Sequence, residues 1–243
     1  MYIIKLDAIN STNSYLREMC AANVPKDFTV VVTKDQTEGR GQMGTVWHSE
    51  KSKNLMFSVF KDVSFLNVNR QFYISMAVSM GVYTALKKML IPNLSIKWPN
   101  DILSDNKKVA GILIENIIKS NRLTGTIVGV GINVNQLNFE NLPDATSLKL
   151  LTGQTLNLDE LLVNVLNSLQ VSFHQLEHGE LKDLKARYES LLFGKERLLR
   201  FVVNDDTEIL GTVKGISGSG KLKVEHDGKV ISYDLKEIAV KHS

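Results

Sequence analysis

The chain has 243 residues, 43% of them hydrophobic, which is enough to bury one substantial core and a small second domain. Its 29 basic and 26 acidic residues are spread along the sequence and give a net charge of +3, so no basic arm indicates binding to nucleic acid. The single cysteine, Cys20, cannot form an internal disulfide, and the sequence shows neither a secretory signal nor an apolar run long enough to cross a bilayer. We therefore expect a cytoplasmic globular protein without a membrane-spanning segment.

The first part of the chain alternates between strand and helix patterns. Runs of β-branched and other apolar residues predict strands, and apolar residues at helical spacing predict helices. The predicted elements are, in chain order, a strand at 2–6, a helix capped by Ser11 or Thr12, a buried strand at 28–33, a strand with alternating polarity from Asn54, a helix at 68–90 ended by Pro92, three strands within 94–134, and helices at 158–176 and 181–192. The turn-rich segments SDNKK and KSNR make the later strands antiparallel neighbours in a mixed central sheet.

The pattern changes from about Phe193 to short β segments separated by turns, which predicts a small barrel. We therefore expect one domain over residues 1–192 and a second over 193–243, although a helix-to-strand transition within one domain would give a similar pattern. The segment from Gly215 to Lys221 matches the spacing of a phosphate-binding loop, but Leu222 replaces its Ser or Thr and strands follow. A hairpin turn is the better prediction for this segment.

A glycine-rich loop, GRGQMG at residues 39–44, lies between two predicted strands. Its glycines allow positive φ and a close approach of the backbone to a ligand, and Arg40 offers a fixed fork of donors to a carboxylate or phosphate. Trp47 offers a flat apolar surface to a ring, and Gln36 offers a donor and an acceptor to a neutral polar group. This composition predicts an anion-binding loop. A solvated surface loop, with Trp47 folded back into the core, also fits it.

A second polar group of residues, KWPNDI at 97–102, directly follows a predicted strand. The oxygens of Asn100 and Asp101 would suit magnesium, which usually bridges phosphates. Lys108 opens the next apolar strand and could project from it beside Gly111. An ordinary Asx turn and a solvated lysine are the alternatives, and both are common.

The motifs GRGQMGTVW, KWPNDI, KKVAGILIE and GVGINVN, in this order and together with STN at 11–13, resemble those of the biotin protein ligases. The resemblance covers essentially the whole chain. It implies an α+β fold, with a catalytic domain over 1–192 built on a central mixed sheet as in class II aminoacyl-tRNA synthetases, and an SH3-like barrel over 193–243. Larger, two-function members carry a helix-turn-helix domain before STN, which starts here at residue 11, so we expect no DNA binding.

The resemblance implies a two-step ATP-dependent reaction. Biotin attacks the α-phosphate of ATP to give biotinoyl-5′-AMP and pyrophosphate, and a lysine of a biotin carboxyl carrier domain of a carboxylase then takes the biotinoyl group. ATP and Mg²⁺ are the implied cofactors. A lipoate or octanoate ligase or transferase of the same superfold is the nearest alternative, and a non-catalytic binding module is another. Exposed strand edges would also allow a homodimer.

Site residues are also implied by the resemblance. Lys108 and Arg40 would act in catalysis by holding the carboxylate and the α-phosphate together, and Asp101 would help to receive the proton of the incoming lysine. The implied biotin contacts are Ser11, Thr12, Asn13, Gln36, Gly39, Arg40, Gly41, Lys108, Gly111, Ile112 and Gly131. The implied ATP and adenylate contacts are Arg40, Gln42, Trp47, Asn100, Lys108 and Asn133, with Asn100 also contacting the metal.

The loop departs from the family pattern where basic residues are frequent. Family loops commonly read GRGRxGR, whereas Gln42 and Met43 follow Gly41 here and Thr45 stands at the last basic position. Gln42 can donate a hydrogen bond but cannot neutralise a phosphate, so we expect weaker retention of the adenylate unless Lys53 or another cation compensates. We also expect the loop to be mobile without ligand and to become ordered over the adenylate.

Overall fold

A seven-stranded mixed sheet organises the larger part of the computed structural model, which describes residues 1–140, 142–204 and 207–241. Its strands are β1 (Tyr2–Leu6), β2 (Thr29–Thr33), β3 (Leu55–Lys61), β4 (Leu94–Lys97), β5 (Asp101–Ser104), β6 (Lys107–Lys119) and β7 (Arg122–Ile132). Their spatial order is β1-β2-β3-β7-β6-β5-β4. The β1–β2 pair is parallel and the remaining pairs are antiparallel, so the predicted mixed sheet is confirmed.

Helices cover both faces of this sheet. The helices are α1 (Thr12–Ala22), α2 (Phe72–Lys88), α3 (Leu148–Thr152), α4 (Leu158–Glu177) and α5 (Leu181–Ser190). Apolar residues of α2, α4 and α5 share the main core with one face of the sheet, whereas Leu16 of α1 packs with Val31, Phe60 and Ile127 on the other. Every residue of β3 is buried as a result, and the alternation in exposure that we predicted for it is wrong.

Several element boundaries differ from the prediction. Helix α2 begins at Phe72 because residues 68–70 form a 3₁₀ turn, whose first free amide, that of Asn69, donates to the side chain of Asn67. The helix ends at Lys88, ahead of Pro92, since Leu90 adopts a positive φ of 60°. Strand β5 and helix α3 were not predicted. Both are short, and Ser147 and Gly153 close the two ends of α3.

The carboxy-terminal part forms a second, five-stranded sheet. Its strands are β8 (Leu198–Val203), β9 (Thr207–Ile216), β10 (Leu222–His226), β11 (Lys229–Tyr233) and β12 (Ile238–Val240). Their order is β11-β10-β9-β8-β12, and within the described residues β11 and β12 do not pair with each other. The sheet is therefore open over the part of the chain that the structure describes, and the predicted SH3-like barrel is not confirmed. Strand β12 has three residues, all paired with β8, so it does not complete a ring.

None of the described helices is long and apolar enough to cross a membrane.

Candidate active site

The floor of the site is a glycine-lined patch on β6 and β7, on the face of the sheet that α1 covers. Gly129 leaves room for Asn13, because a Cβ there would lie 3.0 Å from the Asn13 Cγ. Gly111 and Gly131 lie under the indole of Trp47, and a Cβ on them would approach it to 2.9 Å and 2.5 Å. Any larger side chain at these positions would displace groups that line the cleft. The glycines of GVGIN thus serve close packing within a strand.

The start of α1 brings the STN residues to this floor. Ser11 occupies the N-cap position but makes no capping bond with its side chain, and Thr12 and Asn13 are buried. The amide of Thr12 donates to Oε1 of Gln36 over 2.9 Å, and its hydroxyl lies 2.6 Å from that of Ser58. Gln36 therefore keeps its Nε2 donors for other partners.

A buried chain of hydrogen bonds continues from Ser58. Ser58 donates its one hydroxyl proton to Oδ1 of Asn13, so Thr12 is the donor in its 2.6 Å contact with Ser58. The Thr12 hydroxyl also lies 3.2 Å from Oε1 of Gln36. The amide of Asn13 in turn donates to Glu115 over 2.9 Å. Sequence reasoning missed both Ser58 and Glu115. They belong to ordinary strand patterns, and only their contacts across the sheet indicate a role.

Glu115 also holds Arg40. The guanidinium donates to the two carboxylate oxygens at 2.9 Å and 3.3 Å, and Arg17 donates to the same carboxylate. Arg40 stands on a hairpin-like loop, in which the amide of Gly41 donates to the carbonyl of Thr45 and that of Trp47 to the carbonyl of Gly39. Two cations on one carboxylate leave a net positive charge, which favours an anionic ligand.

The loop glycines differ from the prediction in conformation. Among the described loop residues, positive φ is found at Gly44 (83°) and Met43 (55°), whereas Gly41 has φ −109° and Gly39 is not left-handed either. Gly39 and Gly41 are required for another reason. A Cβ on Gly39 would collide with the Trp47 carbonyl, and one on Gly41 would collide with the Thr45 side chain. Their small size lets the two arms of the loop close on each other.

Lys108 lies at the start of β6, above the same indole. Its Nζ is 2.7 Å from Oδ1 of Asp101 and 5.7 Å from the centre of the Trp47 ring. The backbone is held on both sides, since the amide of Lys108 donates to the Asp144 carbonyl and its carbonyl accepts from Thr146. Lys108 is thus fixed at its base by backbone bonds, and its ammonium pairs with Asp101.

Lys97 is a further cation of this region, and sequence reasoning did not assign it a role. Burial lowers the pKa of the Lys97 ammonium, and the charge of Lys108 lowers it further, while Asp101 and Asp144 oppose the shift. The motif KWPND contained the signal, because its lysine ends β4 next to the strand that starts at Asp101.

Asn100 lies in the turn between β4 and β5, after a cis peptide bond between Trp98 and Pro99. The side-chain amide of Asn100 donates to the backbone carbonyl of Ile112 over 2.8 Å, and the backbone carbonyl of Asn100 accepts from the backbone amide of Ile112 over 2.9 Å. No cluster of three potential metal ligands occurs among the described His, Cys, Asp and Glu residues. One carboxylate and one amide oxygen fit a Mg²⁺ ion held mainly by the phosphates of its nucleotide.

Most of the predicted residues line one cleft at this end of the sheet. Those that line it are Ser11, Thr12, Asn13, Gln36, Arg40, Gly41, Trp47, Asn100, Gly111, Ile112 and Gly131. Gly39, Gln42, Asp101, Lys108 and Asn133 lie outside this lining. Asn133 is buried, and its amide donates to the Thr146 and Lys108 carbonyls over 3.1 Å and 3.4 Å, so it supports the backbone that carries Lys108.

This arrangement can bind a ligand with a neutral polar end and an anionic end. The Gln36 amide offers donors to the polar end, and the glycine floor and Trp47 offer apolar surface. Arg40 and Lys108 offer two cations, each resting on a carboxylate of the protein. The two cations suit the site to neutralise and orient anionic groups of a ligand.

Comparisons with known proteins agree with this description. The model of the biotin/lipoate A/B protein ligase family matches residues 6–133. The bifunctional ligase/repressor BirA of Bacillus spizizenii is 30% identical over 97% of this chain and 74% of its own length. The biotin–[acetyl-CoA-carboxylase] ligase of Mycobacterium tuberculosis is 28% identical over 91% of this chain and 82% of its own length.

A solved structure extends the agreement to the fold. The biotin protein ligase from Aquifex aeolicus, in complex with biotin and ATP, superposes with a TM-score of 0.83 at 27% identity and covers 100% of this chain and 99% of its own. A family model matching more than half of the chain and a whole-chain structural match lead to the same assignment. The chain belongs to the biotin/lipoate A/B protein ligase family.

Proposed function

We propose that this protein is an ATP-dependent ligase that activates biotin as biotinoyl-5′-AMP and transfers it to a lysine of a biotin carboxyl carrier domain. The observation that carries the proposal is the cleft itself. It combines the polar pair Thr12 and Gln36, a floor that includes Gly111, Gly129 and Gly131, the cation Arg40, and the cation Lys108 beside Gly111. Relatives named as biotin ligases share this fold over nearly the whole chain.

Recognition of biotin would rest on its ureido ring. Gln36 has its oxygen engaged by Thr12, so its Nε2 donors face a ligand oxygen, and the Ser11 hydroxyl adds a donor or acceptor at the helix start. A ligand without matching polar atoms would leave these protein groups unpaired. One unpaired buried group costs about 1–3 kcal/mol, so the site rejects acids that lack the ring.

Activation joins two anions, the biotin carboxylate and the α-phosphate of ATP. Arg40 and Lys108 neutralise the charge as the carboxylate oxygen bonds to phosphorus and pyrophosphate leaves. When bound, Mg²⁺ would neutralise further charge on the leaving pyrophosphate, with Asn100 and Asp101 as the residues that would hold it. Trp47 provides apolar surface for the adenine, and Asn133 stays our prediction for a polar contact to it.

Transfer of the biotinoyl group requires that the amine of the carrier lysine be neutral. The carrier lysine attacks the biotinoyl carbon, the bond from that carbon to the phosphate oxygen breaks, and AMP leaves as an amide forms. Once Lys108 has moved to the adenylate, Asp101 is released from its ion pair and can accept the proton that the attacking amine loses. The resting pair of Lys108 and Asp101 thus prepares both steps.

Pyrophosphate release with ATP and each of biotin, lipoate and octanoate tests this function. We expect pyrophosphate release when ATP is mixed with biotin, but not when it is mixed with lipoate or octanoate. Transfer of labelled biotin to a carboxyl carrier domain should follow. Release with lipoate or octanoate would favour the related ligases instead. Tight biotin binding without any release of pyrophosphate would favour a binding module and would contradict the proposal.

Four broader assignments remain predictions. We assign catalysis to residues 1–192 and treat the carboxy-terminal part as a separate unit. Cytoplasmic location, the absence of DNA binding and a homodimer follow from the sequence arguments only. Light scattering with and without adenylate measures the oligomeric state, and a mass of one chain under both conditions would exclude the dimer.

A further inference from the structure

The turn between β9 and β10, residues 217–221, joins the second sheet to the active-site domain. It is the glycine-rich segment that resembles a phosphate-binding loop in sequence. In the structure it is closed on itself, because the Ser217 amide donates to the Lys221 carbonyl over 2.8 Å and the Lys221 amide donates to the Ser217 hydroxyl over 3.0 Å. These bonds make it a stiff turn, which we call the docking turn.

The docking turn contacts the active-site motif KWPND directly. Nε1 of Trp98 donates to the Gly220 carbonyl over 2.9 Å. Gly220 is buried with φ 92°, and a Cβ on it would overlap the ring of Phe72 at the start of α2. The tip residue Gly218 is exposed, and a Cβ on it would meet nothing within 4 Å. Gly220 is therefore packed against the larger domain, whereas Gly218 makes no such contact.

A second set of contacts fixes the strand that leads into the docking turn. The Ile216 amide donates to Oε1 of Glu189 at the end of α5 over 2.7 Å. The Phe72 ring under Gly220 makes an edge contact with Tyr188, with 6.3 Å between ring centres. The docking turn is thus held by residues of α2 and α5, and it presents its carbonyl to Trp98 from a rigid support.

Trp98 lies in the same three-residue turn as Asn100 and directly before β5, which begins with Asp101. A shift of the indole would move the backbone that carries both groups, and a misplacement of about 1 Å can cost on the order of 10²-fold in rate. We propose that the second sheet acts as a positioning element for the nucleotide step, in which Gly220 holds Trp98 and thereby places Asn100 and Asp101.

This inference rests on the proposed function, because its readouts are steps of that reaction. The residues that contact biotin by our account lie on α1, the glycine-rich loop, β6 and β7, and none of them touches the docking turn among the described contacts. Asn100 bonds to Ile112 and Asp101 pairs with Lys108. Loss of the Trp98 bond should therefore affect ATP use much more than biotin use, and should not spare the biotin contacts entirely. A purely structural role would instead change thermal stability without separating the two substrates.

Trp98→Phe removes the N–H donor and keeps an aromatic ring. We expect KM for ATP in pyrophosphate release to rise about tenfold, with KM for biotin within about twofold of the parent protein, measured well below the midpoint of unfolding. Equal changes in both constants, or an unchanged KM for ATP, would overturn the inference. An inactive parent protein would instead defeat the proposed function.

Gly220→Ala and Gly218→Ala form a matched pair that tests the same claim without changing Trp98. The first forces the docking turn off Phe72, and we expect the same selective rise in KM for ATP. The second alters the exposed tip and should behave as the parent protein. If Gly220→Ala kept the parent KM for ATP, or if both variants behaved alike, the docking turn would have no positioning role.

Discussion

Arg40 of the cleft and Lys108 beside it each form an ion pair with a protein carboxylate. Arg40 pairs with Glu115 and Lys108 pairs with Asp101, and the cation side chains are 39% and 35% exposed. Their carboxylate partners Glu115 and Asp101 are less exposed, at 16% and 19%, and the solvent contact of the cations weakens both pairs. A ligand that brings a carboxylate and phosphates can therefore replace both partners at low cost. The resting pairs keep the cations oriented without holding them firmly.

Replacement of Lys108 tests the catalytic assignment most simply. Lys108→Ala removes a cation from the developing charge, and we expect adenylate formation to slow by about 10²–10³-fold. Lys107→Ala is the matched control, since Lys107 is the exposed neighbour on the same strand. Comparable slowing in both variants would indicate a general effect of charge and contradict the assignment.

The buried ammonium of Lys97 predicts a dependence of stability on pH. Burial lowers its pKa below the ordinary 10.5, so unfolded Lys97 holds its proton more tightly than folded Lys97. The free energy of unfolding should therefore rise with pH between the lowered pKa and 10.5, and stay level below that window. Chemical denaturation across alkaline pH should show this rise in the parent protein relative to Lys97→Met. Parallel curves for the two proteins would contradict it.

The lack of charge on Gln42 should affect the rate at which the adenylate dissociates. Gln42→Arg adds a charged donor to the loop tip, and we expect adenylate to dissociate about tenfold more slowly, since a hydrogen bond to a charged group contributes about 1.5–3 kcal/mol. Met43→Arg adds the same charge at the next, exposed position and serves as the control. No slowing in Gln42→Arg, or equal slowing in both, would defeat the prediction.

At the scale of elements, the glycine-rich loop is a narrow hairpin with an exposed tip. Two backbone bonds, at 2.7 Å and 2.9 Å, join its arms, and Met43 and Val46 are exposed. Exposed backbone bonds with few apolar contacts open readily. Ligand contacts to Arg40 would stabilise the closed form, so the loop is suited to shield a reactive anhydride from water.

Hydrogen exchange of residues 38–47 measures this ordering. With biotin and ATP present, we expect their amides to exchange at least about tenfold more slowly than in the free protein. Residues 198–203 of the second sheet provide an internal reference, because they lie outside the cleft. Unchanged exchange in the loop would count against its role as a cover.

Sequence patterns predicted most elements of the large sheet and its helices. Long runs with a clear period, such as those of α2, α4, β6 and β7, were found because local preference and packing agree there. Strand β5 was missed because it has four residues and begins within a polar motif. The barrel predicted for the second sheet is not confirmed, since pairing between the strands at its two edges is a long-range property that no local pattern contains.

At the scale of the whole molecule, the site is assembled from segments that are far apart in sequence. Thr12, Ser58 and Glu115 belong to one hydrogen-bonded chain although about fifty residues separate each from the next. The residues carried by recognisable motifs could be predicted. The residues that orient them could not, because a serine or glutamate in a strand has no local feature that indicates its partner.

The two sheets also depend on each other at the docking turn. The larger sheet carries the glycine floor and Lys108, the loop between β2 and β3 carries Arg40, and the docking turn of the smaller sheet bonds to Trp98, two residues before Asn100. Under the proposed roles, ATP contacts and biotin contacts would be adjusted by different parts of the chain. We therefore expect some substitutions to change KM for ATP with little effect on KM for biotin.

A crystal structure with biotin and a non-reacting ATP analogue would show whether Arg40 and Lys108 move from their carboxylates to the ligands. We predict that Arg40 leaves Glu115, that Lys108 leaves Asp101, and that both side chains lie within hydrogen-bonding distance of the biotin carboxylate or the α-phosphate. If both cations remained on Glu115 and Asp101 while the two ligands were bound, charge neutralisation by this pair would be contradicted.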